Sequence, residues 1–131
     1  MKILVLSFFT LLKIILLSFI LKIFISLVKF DSYIKFSSSY SVFFSKNKKM
    51  NLNKTLKIIN FCSRVFPFWN CFISSSVLKK IYPNCSDLEF YIGVTRSEHG
   101  EFYSHAWVEK NGNILLGEIK NINSFKKILK Y

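Results

Sequence analysis

The chain has 131 residues and a mass of 15.4 kDa, enough to close one modest core and too little for two. Hydrophobic residues make up 51% of it and aromatics 18%, which excludes the composition of a disordered tail. Its formal charge is +12, yet it has no zinc-finger spacing and no RNA-binding signature, so nucleic acid is not an expected partner.

The charge is unevenly placed. Residues 1–60 hold ten of the nineteen Lys and Arg and one acid, Asp31, for a net +9, against +3 for residues 61–131. A front half that is both basic and apolar suits a membrane surface, an acidic protein or an acidic peptide. It opens with "MKILVLSFFTLLKIILLSFILKIFISLVKF", which lacks the small-residue cleavage site of a secretory signal. As a helix it gathers Ser7, Ser18, Lys22, Ser26 and Lys29 within an arc of about 100°, with Lys2 and Lys13 on the far side. Lys13 at mid-span costs about 2.5 to 3.5 kcal/mol, and the Leu, Ile and Phe around it return about 0.3 to 0.6 kcal/mol each. A span, an interfacial helix, and a helix packed on its own domain or a partner all fit, the last of them best.

Residues 31–53, rich in Ser, Lys and Asn, read as a connector, so the expected division is an N-terminal helix with connector over 1–53 and a compact domain over 54–131. A helix then carries Leu56, Ile59, Cys62 or Ser63, and Phe66 on one face, with Asn53 as N-cap and Pro67 as stop. Cys62 should face the core. After "PFW", Asn70 caps a second helix whose Phe72, Ile73, Val77, Leu78 and Ile81 recur at helical spacing, and Pro83 closes it. Cys71 falls in its first turn, where free backbone N–H groups and the helix dipole favour thiolate over thiol. Cys85, in "PNCSD", has no periodic context.

All four glycines lie between residues 93 and 117. "LEFYIGVT", "FYSHAWVE" and "NILLGE" read as three strands of an antiparallel meander, the last two joined at Asn111-Gly112. On the second strand Tyr103, His105, Trp107 and Glu109 share a face. His99 sits in a turn and should be solvated. "NSFKKILKY", with Asn123 or Ser124 as cap and Phe125, Ile128 and Leu129 on one side, reads as a short closing helix.

Three cysteines, Cys62, Cys71 and Cys85, without a C-x-x-C pair, fit reduced thiols in a cytosolic protein better than a disulfide framework. With two histidines they make a poor metal site, and neither a metal nor a cofactor is expected.

A helix that starts at Cys, then a strand, then a strand with His is the order of the papain-like and transglutaminase-like thiol enzymes. The blocks "RVFPFWNCFISSSVLKK", "FYIGVTR" and "FYSHAWVEKNG" resemble those of the transglutaminase-like leader peptidases of lasso-peptide (microcin) biosynthesis, over about residues 55–118. The resemblance implies an α+β fold, with N-terminal helices, a helix starting at Cys71 and a three-stranded sheet. It implies Cys71 as nucleophile and His105 as general base in a cysteine endopeptidase that removes a leader peptide. A small leader-recognition protein and a peptide cyclase are the partners it implies, in the cytoplasm, with membrane association through residues 1–30 left open.

Relatives usually carry an aspartate twelve positions after the histidine, where this chain has Gly117. The nearest acid is Glu118, the candidate third catalytic residue. A two-residue turn at Asn111-Gly112 pairs Lys110 with Asn113 and sets His105 opposite Glu118; a three-residue loop pairs Glu109 with Asn113 and sets His105 opposite Gly117. The relatives' aspartate favours the three-residue loop. A Cys-His pair with an open third position also leaves a second reading, a catalytically decayed membrane-associated or scaffold protein of the same fold.

Overall fold

The computed structural model describes residues 2–38, 51–83 and 85–131. Four helices precede a four-stranded antiparallel sheet: α1 (Lys2–Leu27), α2 (Phe30–Ser38), α3 (Leu52–Val65), α4 (Cys71–Ile81), then β1 (Leu88–Arg96), β2 (Phe102–Lys110), β3 (Asn113–Leu116) and β4 (Lys126–Lys130). The strand order is β3-β2-β1-β4. The fold is α+β, as the sequence implies, with one strand more than expected.

α4 is the hub. α1, α2 and α3 all pack on it, and its other side meets β2. It is therefore buried nearly all round, and Ser74, Ser75 and Ser76 are as buried as Ile73, Val77 and Leu78. Small serines let the neighbouring elements come close; Leu88, Phe90, Val108 and Leu116 complete the core from one face of the sheet.

The connector reading fails where α2 begins. Phe30–Ser38 is a helix, and its Tyr33 is fully buried and stacked on Phe72, 5.0 Å between ring centroids. The serines there hid one aromatic anchor per turn; residues 39–50 of the same stretch lie outside the described residues. α3 starts one residue before the expected cap, at Leu52. Asn51 rather than Asn53 is its N-cap, with Oδ1 accepting the Lys54 N–H at 3.1 Å, and this brings Leu52 onto the core. The ends at Phe66 and Tyr82 fall just before Pro67 and Pro83, as expected.

The polar stripe of α1 is only partly at the solvent: Ser26 and Lys29 are exposed and Lys22 half-buried, but the middle of the stripe turns inward. Ser18 is fully buried and its hydroxyl donates to the Ile15 carbonyl at 2.7 Å, while Ile14, Leu17 and Leu21 point into the core beside it. α1 is thus packed on its own domain along one side.

The closing segment is a strand, not a helix. After a single 3-10 turn at Ile122–Ser124, β4 runs antiparallel to β1. A register shift between Ile92 and Gly93 inserts one residue into β4, so Lys127 pairs with Gly93 and Lys130 with Tyr91. The bulge turns a two-residue period into a three-residue step, which imitates helical spacing. Free hydrogen-bonding groups along β1 decide the outcome, since only a strand can satisfy them.

β4 also roofs the second face of the sheet. Lys127 Nζ lies 3.8 Å from the centre of the Tyr91 ring and 2.7 Å from Glu109 Oε1, and Glu109 also accepts the Trp107 Nε1–H at 2.7 Å. Trp107 is buried there because Gly93, directly below its ring, has no side chain. A Cβ at Gly93 would sit 2.6 Å from Trp107 Cη2 and 2.7 Å from Cζ3. Gly93→Ala should therefore overpack this face and lower stability by about 1 to 3 kcal/mol. A urea titration followed by tryptophan fluorescence checks it, and an unchanged midpoint would contradict the packing.

Candidate active site

Cys71 is the first residue of α4, and the segment before it is held rigid from two sides. Phe66 and Trp69 close a turn through Trp69 N–H to the Phe66 carbonyl at 3.0 Å, and the Trp69 indole N–H donates to Ser74 Oγ at 2.7 Å. Asn70 is extended and caps the helix, its Oδ1 accepting the Ile73 N–H at 2.9 Å. The buried indole ties the segment entering α4 to Ser74 within the helix, which leaves the Cys71 side chain little freedom.

β2 supplies the opposite side. β3 pairs with β2 only from Val108 to Lys110, so His105 and Ala106 have β1 on one side and no strand on the other. The start of α4 fills that gap. The Cys71 sulfur meets the His105 imidazole, the Ala106 N–H and the N–H of its own neighbour Phe72.

Burial pushes the Cys71 thiol up, but the hydrogen bond from His105, the Ala106 N–H, the charge on the imidazole and the Phe72 N–H together outweigh it. The thiol is held below its ordinary range. His105 moves the other way: its hydrogen bond to Cys71 raises it, burial opposes, and the Gly117 carbonyl and the thiolate charge raise it further. Each group stabilises the charged form of the other.

The imidazole is also fixed in plane. It stacks on Trp107, centroids 6.2 Å apart at 15°, and Phe125 lies 5.8 Å away at a steeper angle. Its Nε2 is 2.6 Å from the Gly117 carbonyl oxygen. A carbonyl only accepts, so Nε2 carries the proton, and Nδ1 is the nitrogen left for Cys71.

The hairpin expectation needs correcting. Lys110 pairs with Asn113 and Glu109 with Ile114, and Asn111 (φ 51) and Gly112 (φ 77) are both left-handed, as a two-residue type I′ turn requires. The favoured three-residue loop does not form. Nor does the simple two-residue register continue, because a bulge between Val108 and Glu109 brings Leu116 opposite Val108. β3 ends there, and "GE" is not part of it.

Gly117 then turns the chain with φ 81, and a Cβ on it would sit 2.6 Å from the Ala106 oxygen and 3.1 Å from Trp107 Cα. Only glycine fits so close to β2 in that conformation. The close approach is what carries its carbonyl to His105. Glu118 is exposed and, among the described residues, makes no hydrogen bond or ion pair. The structure thus brings Cys71 and His105 together and leaves Glu118 outside.

Two groups at the site escape a sequence reading, the Ala106 N–H and the Gly117 carbonyl. Backbone groups leave no residue signature. The available signal was Gly117 itself, which marks a tight approach as much as a missing acid. The other cysteines stand apart: Cys62 is fully buried and its thiol pushed up by that burial, and Cys85 lies in the turn that leads to Leu88. His99 is exposed in the turn between β1 and β2. Among the described residues no three His, Cys, Asp or Glu side chains cluster.

A family model described as the transglutaminase-like superfamily matches residues 44–130, which takes in α3, α4 and the whole sheet. No curated protein and no solved structure matches the chain. With a Cys-initiated helix seated against a His-bearing antiparallel sheet, and most of its length covered by that family, the chain belongs to the transglutaminase-like superfamily, which includes cysteine peptidases.

Proposed function

We propose that this chain is a cysteine endopeptidase that removes the leader from a ribosomally made, lasso-type precursor peptide. The observation that carries the catalytic part is the His105 hydrogen bond to the Gly117 carbonyl, which leaves a basic Nδ1 facing a thiol already biased to ionise. The substrate part rests on the resemblance of "RVFPFWNCFISSSVLKK", "FYIGVTR" and "FYSHAWVEKNG" to the leader peptidases. A small leader-recognition protein presents the precursor, and a cyclase takes the product.

The steps follow from the pair. His105 Nδ1 takes the Cys71 proton and the thiolate attacks the scissile carbonyl. The imidazolium gives that proton to the departing amine, leaving a thioester on Cys71. The same imidazole then takes a proton from water, the hydroxide attacks the thioester, and the carboxylate product leaves as the thiol is restored. The Cys71 N–H, at a helix start and with no acceptor among the described residues, is the candidate donor to the oxyanion.

Gly117 takes the place of the acid of a triad. Its carbonyl selects the tautomer and holds the ring, but it brings no full charge to stabilise the imidazolium. That difference favours the second reading, a non-enzymatic scaffold in which the pair persists without turnover.

Incubating the full-length protein with a precursor peptide and its leader-recognition partner, with mass spectrometry of the products, separates the two. Cleavage by wild type should fall by roughly 10³-fold or more in Cys71→Ala. Cleavage that survives Cys71→Ala, or none by wild type with the partner present, would sink the peptidase. Within the same assay Glu118→Gln should stay within about threefold of wild type, because an exposed carboxylate that does not bond His105 contributes little. Gly117→Ala should lose roughly 10²-fold by displacing the carbonyl from His105. A Glu118→Gln enzyme as slow as Gly117→Ala would return the acid to the mechanism.

A further inference from the structure

α1 is apolar on two opposite faces, and the fold covers only one of them. Ile14, Leu17 and Leu21 are buried, yet Phe9, Leu12, Leu16, Phe19, Ile23 and Leu27 are exposed, from 48% for Phe19 to 78% for Leu27. At 3.6 residues per turn these six fall within an arc of about 80°, with Lys13 about 40° beyond one edge and Lys22 about 60° beyond the other. No salt bridge among the described residues uses either lysine. The helix therefore presents an apolar stripe bordered on both sides by uncompensated positive charge.

Three occupants can be weighed on these features. A second copy laid on the stripe would set lysines against lysines, with no acid of this helix to meet them. A membrane span would have to strip Ile14, Leu17 and Leu21 from the core they share with α4. A lipid surface asks for neither change: the stripe enters the acyl boundary and the flanking lysines reach the phosphate headgroups.

We propose that α1 docks in plane on an anionic lipid surface, with the stripe from Phe9 to Leu27 buried in the acyl boundary and Lys13 and Lys22 at the headgroups. The stripe touches the segment that leads into α4 at one point. Phe19, on the stripe, packs on Phe68 with ring centroids 4.5 Å apart, and Phe68 stands three residues before Cys71.

Co-sedimentation of the full-length protein tests this, with vesicles of phosphatidylcholine alone or mixed with phosphatidylglycerol, at low and high salt. Binding should require the anionic lipid and weaken with salt, and Lys13→Glu/Lys22→Glu should reduce it by at least about tenfold. Leu12→Glu/Leu16→Glu should abolish it, with an unchanged circular dichroism melt showing that the fold is intact; if that variant misfolds, the lysine pair carries the test. Protein that stays in the supernatant with every vesicle overturns the proposal. So does binding that survives both high salt and an alkaline carbonate wash, which marks a span. A dimer in sedimentation velocity that Leu12→Glu/Leu16→Glu dissociates, without vesicle binding, assigns the stripe to a second copy instead.

Discussion

The site depends on one short hydrogen bond, 2.6 Å from His105 Nε2 to the Gly117 carbonyl, and on the geometry that makes it possible. The two-residue turn at Asn111-Gly112 sets the hairpin, the bulge opposite Val108 shifts it by one, and Gly117, lacking a Cβ, then lies against Ala106 and Trp107. With Nε2 held as a donor, Nδ1 faces Cys71. Because β3 stops at Leu116, the same edge leaves the Ala106 N–H free to reach the sulfur. Turn, bulge, glycine and strand end all act on one imidazole.

α4 provides the other half of the constraint. Its first residue carries the thiol, and the rest of the helix is buried under α1, α2 and α3 on one side and against β2 on the other. A helix so enclosed cannot shift its N-terminus without repacking the core. The Trp69 to Ser74 hydrogen bond and the Asn70 cap fix the last rotations before the sulfur. The cost of bringing a thiol and an imidazole together is thus met in folding rather than during reaction.

Where periodicity and caps point the same way, the sequence is legible. Asn70 before an apolar helix and Pro83 after it locate α4 and put Cys71 in its first turn, and alternation in "FYSHAWVE" locates β2. The misses have specific causes. β4 hides because a bulge spaces Phe125, Ile128 and Leu129 like a helix, and α2 hides because Tyr33 and Phe30 anchor a serine-rich run through contacts with Phe72. The fourth strand and the second helix are set by what they meet, not by their own pattern. At the site the two side chains that approach each other are readable, but the donors and acceptors that tune them are main-chain groups. Glu118 is the candidate as the acid nearest Gly117, the position to which the resemblance assigns the third residue; register, which depends on a single extra residue at a bulge, puts the glycine carbonyl there instead.

The pH dependence of Cys71 alkylation tests the coupled pair most directly. Iodoacetamide reacts with the thiolate, and peptide mapping by mass spectrometry separates Cys71 from Cys62 and Cys85. His105 and the two N–H groups favour the charged sulfur, so its thiolate persists to lower pH than an ordinary cysteine. The coupled pair should give a midpoint below the usual cysteine range in the wild type and a shift to higher pH in His105→Ala. A midpoint at or above that range, unchanged by His105→Ala, would contradict it.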